Sequence, residues 1–270
     1  MQIEMGMTAD DLSSLAISSG LKTRFVGQRV DYYPRLSSTM EVAREGVQQG
    51  APEGTVIIAD EQSAGKGRLN RVWLSPSGSV SLSIVLYPSM AYLPSFIMVA
   101  SLAVVHSIWA VTGLCSHIKW PNDVLVNGKK VCGVLIESGV RGSSVDYAII
   151  GIGLNVNLRA SDFTDILPAA TSLSDELGRD VSRLELLRCL LVKIENLYLS
   201  LPAGDSVYRE WRNSLVTLGR KVRVSAGEAI YEGIAESVAR DGSLLLRDLN
   251  GSLSQISAGD VSLQDINSEG

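Results

Sequence analysis

From Val72 to Ile118 the chain carries no Asp, Glu, Lys or Arg. A neutral, apolar block of that length can be read as a membrane span or as the buried elements of a core. Val80, Leu82, Ile84 and Leu86 alternate with Ser81 and Ser83, the period-two pattern of a β-strand. Phe96 to Val111 is an apolar run broken by His106. A membrane span takes about 20 apolar residues, and this run is shorter. Pro94 precedes it and Gly113 follows it, the start and stop signals of a helix in a water-soluble fold. The block is therefore expected to be a strand and a buried helix, with no membrane partner.

The remaining charge is placed around this block. Among 270 residues, Lys and Arg number 24 and Asp and Glu 29, a net charge of −5. Yet Lys66, Arg68 and Arg71 stand just before the block, and Lys119, Lys129 and Lys130 just after it. A net acidic chain is a poor non-specific ligand for nucleic acid, whose affinity comes from phosphate neutralisation; no nucleic-acid partner is expected. Hydrophobic residues make up 46%, enough for a core and too many for disorder. The length fits one large domain, or one large and one small. Cys115, Cys132 and Cys189 are far apart with no C-x-x-C spacing, which reads as reduced thiols packed as small hydrophobes in a cytoplasmic protein. The opening MQIEMGMTADDL has acids and no basic segment, so no secretory signal is expected.

Residues 9–19 predict a short helix, with Thr8 as cap and Gly20 as stop. One helix is too little for a helix-turn-helix domain. Arg29 to Leu36 reads as extended. Ser38 and Glu41 match the S-x-x-E capping box of a helix from about Met40 to Gln49, ending at Gly50. Thr55 to Asp60 reads as a buried strand. Asn127-Gly128 between Val124-Leu125-Val126 and Lys129 to Glu137 predicts a hairpin, because Asn-Gly supplies both positive φ angles of a type I′ turn. Tyr147 to Val156 reads as another buried strand. Ser182 and Glu185 form a second capping box before Leu184, Leu187, Leu191, Ile194 and Tyr198, which recur at helical spacing up to Pro202. A further helix is expected over Ser206 to Leu215. After Gly219 the helical signal stops. Val222 and Val224 alternate with charged residues, and Asp241-Gly242 and Asn250-Gly251 mark hairpin turns, as in a small antiparallel barrel. The expected division is 1–23, a segment with a short helix; 24–217; and 218–270.

The sharpest local signal is Gly65-Lys66-Gly67-Arg68-Leu69-Asn70-Arg71, preceded by Gln62 and followed by Trp73. Its glycines let backbone approach a ligand and leave N–H groups free, and its three cations suit an anion such as a phosphate chain. It is equally a common composition for a solvated loop. It is not a P-loop, because Gly67 rather than Ser or Thr follows Lys66 and Asp60 stands where the first glycine belongs. Gly151-Ile152-Gly153-Leu154-Asn155 is only part of a dinucleotide fingerprint, with Val156 in the third glycine's place.

Five motifs in order are far more specific than any one of them: Ser38-Thr39, Gln62 with the GKGRLNR loop, KWPNDV at 119–124, NGKKVCGVLIE at 127–137 and GIGLNVN at 151–157. Together they resemble the biotin protein ligase family, in its short form without an N-terminal DNA-binding repressor domain, over roughly residues 24–270. The resemblance implies an α+β fold: a class II aminoacyl-tRNA-synthetase-like mixed-sheet catalytic domain followed by a small SH3-like β-barrel. It implies activation of biotin by ATP and Mg²⁺ to biotinyl-5′-adenylate. Biotin then passes to one lysine of a biotin carboxyl carrier domain of a carboxylase. A homodimer is also implied.

By the same resemblance, Ser38, Thr39 and Met40 occupy the family's Ser-Thr-Asn and meet the ureido end of biotin, with Gln62 beside them. Met40 replaces the usual Asn. Lys66 replaces the first Arg of the glycine loop, keeping the charge without the planar fork; Gly67 and Arg68 retain the pattern, and Arg68 holds the adenylate. Lys130 contacts both the biotin carboxylate and the α-phosphate, with Gly133 opening the strand to the ligand. Lys66, Arg68 and Lys130 are thus the expected catalytic cations. Arg68, Arg71, Trp73, Lys119, Asn122, Lys130 and Asn155 fall to ATP, Trp73 as pocket wall and Asn155 on adenine. Asp123 is the expected Mg²⁺ contact. His106 and His117 are too isolated for a metal triad, and nothing activates Cys132. Two other readings stand beside this one. A lipoate–protein ligase shares the fold and chemistry, and a biotin-responsive transcriptional repressor adds DNA binding. The C-terminal barrel and the KWPND and GKK segments favour biotin, and the acidic balance with no visible DNA-binding domain disfavours the repressor.

Overall fold

A computed structural model of the chain describes residues 12–159 and 169–263. The neutral block lies at its centre. The strand β3 (Ser79–Leu86) is buried along its whole length. The helix α3 (Phe96–Thr112) ends at Gly113 in the left-handed conformation (φ 74°), where glycine carries no Cβ penalty. The helical stretch Met90–Thr112 is long and apolar enough to cross a membrane, but α3 is spent on packing: Phe96, Met98, Val99, Leu102, Val104 and Ile108 are buried in the main core. Each such side chain contributes roughly 1.5–3 kcal/mol when fully buried.

Around β3 the chain builds a mixed seven-stranded sheet from β1 (Val30–Leu36), β2 (Val56–Gln62), β3, β4 (Ser116–Lys119), β5 (Asp123–Val126), β6 (Lys129–Arg141) and β7 (Ser144–Asn155). Its order is β1-β2-β3-β7-β6-β5-β4. Only β1 and β2 are parallel; the other neighbours are antiparallel. The turn between β5 and β6 is the expected one, with Asn127 at φ 50° and Gly128 at φ 79°.

One sheet face carries Val80, Leu82, Ile84, Leu86, Ile150, Ile152 and Leu154 into a core shared with α3 and α5 (Arg183–Ser200). The predicted cap of α5 is present: Ser182 Oγ accepts from the Glu185 N–H. The opposite face is covered by the helix α2 (Thr39–Gln48), whose Met40 and Ala43 pack with Ile57, Val85 and Ile149. At α2 the expected capping box does not form. Ser38 is the N-cap residue, but its hydroxyl makes no capping bond. Glu41 turns instead to the Ser37 hydroxyl at 2.8 Å and to Lys66 at 2.7 Å. A cation within reach outcompetes a backbone N–H for the carboxylate.

The N-terminal helix α1 occupies Ser14–Ser18, capped by Ser13; residue Thr8, expected as its cap, lies outside the described residues. Two further helices, α4 (Leu173–Leu177) and α6 (Ser206–Asn213), complete this part of the chain. After α6 the chain crosses to a five-stranded antiparallel sheet, order β11-β10-β9-β8-β12. Its strands are β8 (Lys221–Ala226), β9 (Ala229–Val238), β10 (Leu244–Arg247), β11 (Leu253–Ile256) and β12 (Asp260–Leu263). Trp120 ties the two sheets: its indole N–H donates to the Gly242 carbonyl at 2.8 Å and its backbone N–H to Thr217 Oγ1 at 2.9 Å. The peptide bond from Trp120 to Pro121 is cis.

Candidate active site

Register places small residues in rows across the sheet. Ser81 pairs with Gly153, Gly153 with Gly133, and Gly133 with Asp123. One step along, Ser83 pairs with Gly151 and Gly151 with Leu135. Paired residues project to the same face, so the middle of the α2-side face is almost without side chains. The outcome is a cavity of about 220 Å³ floored by backbone.

The walls come from both sides of the neutral block. Thr39, Met40 and Gln62 close one end. Gln62 Oε1 accepts from the Thr39 backbone N–H at 2.8 Å and from Thr39 Oγ1 at 3.2 Å. That fixes the amide's orientation and leaves Nε2 as the free donor of a cavity-lining side chain. Ser83 Oγ donates to Thr39 Oγ1 at 2.8 Å. Ser38 is fully buried, and its hydroxyl has no partner among the described residues. An unpaired buried polar group costs about 1–3 kcal/mol, so this end of the cavity holds polar capacity that the fold itself does not satisfy. Met40 packs across Gly151: a Cβ there would lie 2.6 Å from its sulfur.

The other end is cationic. Lys66, Arg68, Arg71 and Lys130 line the cavity, against the carboxylates of Asp123 and Asp260. Lys130 Nζ is 2.6 Å from Asp123 and 5.4 Å from the centre of the Trp73 ring, a cation–π placement. Its backbone is held on both sides, donating to the Ala169 carbonyl at 2.8 Å and accepting from the Thr171 N–H at 2.9 Å. Gly133 makes room for this pair, since a Cβ there would fall 3.1 Å from Trp73 and 3.4 Å from Lys130 Cε. Arg68 Nη1 donates to Asn122 Oδ1 and to the Gly259 carbonyl, each at 3.2 Å. Burial lowers the pKa of this guanidinium, while Asp260 and Asp123 pull it back up. At that ordinarily very high value arginine stays charged, so burial makes it a poorly solvated cation that an anion would satisfy. Asn155 donates from Nδ2 to the Thr171 carbonyl at 3.0 Å, which leaves its Oδ1 as an acceptor.

The glycine loop covers the cavity. Gly67 N–H donates to the Arg71 carbonyl and Trp73 N–H to the Gly65 carbonyl, both at 2.8 Å. Gly65 is required, because a Cβ there would sit 2.4 Å from the Trp73 carbonyl oxygen. Leu69 and Asn70 adopt positive φ (53° and 59°) at the loop's tip.

Of the residues singled out in sequence, Thr39, Met40, Gln62, Lys66, Gly67, Arg68, Arg71, Trp73, Asn122, Asp123, Lys130, Gly133 and Asn155 all line this one cavity. Ser38 and Lys119 do not. Ser38 sits next to the wall rather than in it. Lys119 pairs with Asp123 on the edge strand β4, one strand beyond the cavity. Sequence reasoning missed Gly153 and Asp260. The first stood in plain view in the GIG motif; the second had no local signal.

Among the described residues no cluster of three or more His, Cys, Asp or Glu could hold a metal ion. Asp123 is already paired with Lys130. The donor set fits Mg²⁺ only as an ion that arrives with phosphate oxygens, the usual way Mg²⁺ is held at nucleotide sites.

Fold and site define a class: a mixed sheet whose bare centre floors a cavity, with polar side chains at one end and a cluster of cations at the other. Comparison with known proteins agrees. Residues 32–155 match the biotin/lipoate A/B protein ligase family, and residues 217–264 match the biotin protein ligase C-terminal domain. The bifunctional ligase/repressor BirA of Bacillus subtilis is 36% identical over 258 residues, covering 93% of this chain and 79% of that one. The biotin–[acetyl-CoA-carboxylase] ligase of Mycobacterium tuberculosis is 33% identical over 225 residues, 77% of this chain and 79% of that one. A solved biotin protein ligase from Aquifex aeolicus in complex with biotin and ATP superposes with a TM-score of 0.75 at 29% identity, covering 88% of this chain and 99% of that one. The chain belongs to the biotin/lipoate A/B protein ligase family.

Proposed function

We propose that this protein is a biotin–protein ligase: it joins biotin to ATP as biotinyl-5′-adenylate, releases pyrophosphate, and passes the biotinyl group to a lysine of a biotin carboxyl carrier domain. The observation that carries this reading is the cavity floor of Gly133, Gly151 and Gly153, flanked by polar Thr39 and Gln62 and by cationic Arg68 and Lys130. The C-terminal match favours biotin over lipoate.

The first step brings a carboxylate against a phosphate, and two anions repel. Lys130 stands where the carboxylate and the α-phosphate meet. Its ammonium offsets the repulsion and stabilises the charge that develops on the phosphate oxygens. Trp73 and Asp123 hold that ammonium in place before the ligand arrives, so little reorganisation is needed at the moment of reaction. Arg68 and Arg71 take the remaining phosphates, and Asn155 offers its acceptor to the adenine amine. Gln62 Nε2, at the cavity wall, is the hydrogen-bonding capacity for the ureido group, with the Ser38 hydroxyl buried just behind that wall. Met40 makes that end more apolar than an asparagine would. Mg²⁺ arriving with the phosphates would be held by their oxygens and by Asp123, and would supply further neutralisation of charge. The adenylate is a mixed anhydride that water destroys, and the loop from Gly65 to Trp73 lies over it and excludes water until the acceptor amine attacks the acyl carbon and AMP leaves. The free thiols of Cys115, Cys132 and Cys189 support a cytoplasmic location.

The test is incubation with ATP, Mg²⁺, labelled biotin and a carrier domain. Label on a single carrier lysine is the expected result; lipoate-dependent but not biotin-dependent ATP–pyrophosphate exchange would replace biotin with lipoate.

A further inference from the structure

The glycine loop is gripped from an unexpected direction. Asp260, the first residue of β12, forms an ion pair with Arg71 and lines the cavity. Its neighbour Gly259 accepts from Arg68 Nη1 at 3.2 Å. One turn of the C-terminal sheet thus engages both arginines that the proposed function gives to phosphate. The turn packs closely against β8. A Cβ on Gly259 would lie 2.8 Å from Val224 Cγ1 and 2.9 Å from the Ser225 carbonyl oxygen, and Asp260 is paired in register with Ser225. Of the other charged groups in the cavity, Asp123 is occupied by Lys130 and Lys66 by Glu41.

We infer that Asp260 is a positioning residue: it tethers Arg71 to the C-terminal sheet and competes with the nucleotide phosphates for that guanidinium, so that ATP binding and the sheet's grip on the glycine loop oppose each other. The inference rests on the cavity being the ATP site. A phosphate oxygen reaching Arg71 must displace the carboxylate or share the guanidinium with it, and the two anions repel. Asp260 therefore raises the ATP concentration needed for occupancy. It also keeps Arg71 folded back over the cavity when ATP is scarce.

The experiment is calorimetric titration of ATP into the full chain and into Asp260→Asn. ATP should bind the variant about two- to fivefold more tightly, the range for a partly exposed charge pair. The gain should shrink as salt rises. Asp260→Glu keeps the charge and should bind like wild type. In an Arg71→Met background the Asp260→Asn change should make no difference, a coupling that a merely structural role of Asp260 would not produce. Unchanged or weaker ATP binding by Asp260→Asn overturns the tether, as does equal tightening without Arg71. Biotin-dependent ATP–pyrophosphate exchange is scored separately on wild type. Exchange without tightening removes the tether and leaves the ligase reading standing; tightening without exchange does the reverse.

Discussion

Gly153→Ala is a test of the cavity floor that adds a single methyl group. Gly153 lies in β7 between Ser81 of β3 and Gly133 of β6. Its φ is not positive, so alanine fits the backbone and only space decides the outcome. A Cβ there would stand 2.3 Å from Trp73 Cε2 and Nε1 and 2.7 Å from Cζ2. Carbon atoms in contact need about 3.5–4.0 Å, so the ring must move by more than ~1 Å. The Trp73 backbone cannot shift freely, because its backbone N–H is bonded to the Gly65 carbonyl at 2.8 Å. The indole either strains the loop or swings off the floor and away from Lys130. Overpacking of this kind costs about 1–3 kcal/mol. The expected result in urea denaturation is a loss in that range, together with biotin binding at least about tenfold weaker by calorimetry, since 1.4 kcal/mol is a factor of ten. Gly151→Ala is the internal comparison. Its Cβ would meet Met40 sulfur at 2.6 Å, but methionine has three rotatable bonds and repacks readily, so the loss should be smaller. Wild-type stability and biotin affinity in Gly153→Ala, or a larger loss in Gly151→Ala, would refute the reasoning.

Arg68→Gly removes the guanidinium that bridges Asn122 and Gly259; the adenylate should escape and label bystander proteins, and retention as tight as wild type would refute its role. Lys130→Ala should abolish biotin-dependent exchange while urea denaturation shows a folded protein, and unchanged exchange would remove the assignment. The Glu41 carboxyl is held below its ordinary pKa by the Lys66 ammonium and the Ser37 hydroxyl. Its stabilising pairing is therefore complete above the ordinary carboxylate range and lost as pH falls through the lowered value. The stability difference between wild type and Glu41→Gln should accordingly vanish on acidification, and one that persists below that range would contradict the pairing.

Elements that depend on neighbours in sequence were legible from sequence. The Asn127-Gly128 hairpin, the Ser182 cap of α5 and the Gly113 stop of α3 each rest on backbone chemistry within a few residues. Ser38 shows the limit of that logic. Its spacing to Glu41 satisfies the capping pattern, yet Lys66 reaches Glu41 from another part of the chain and takes it. The cavity residues were legible because five motifs in order resemble one family, and that resemblance assigned them together. Their arrangement was not, because it depends on the register of β3, β7, β6 and β5, which no local pattern sets. Lys119 looked like a site residue beside Asn122 and Asp123, but the edge strand carries it past the cavity. Asp260 was invisible because its partner Arg71 stands in a distant part of the chain, on the other sheet's side of the fold.

The bare floor of the sheet has a consequence for the protein as a material. Centres of sheets are ordinarily the most densely filled part of a fold, and each missing side chain there leaves dispersion contacts unmade. Here Gly133, Gly151 and Gly153 omit them in adjacent rows. On the proposed function, the hydrocarbon body of biotin would be the absent layer of the core, lent rather than encoded. Occupancy and firmness become one quantity: a ligand at a hundred times its Kd adds about 2.7 kcal/mol to unfolding. The cell's supply of the small molecule would therefore set how durable this protein is.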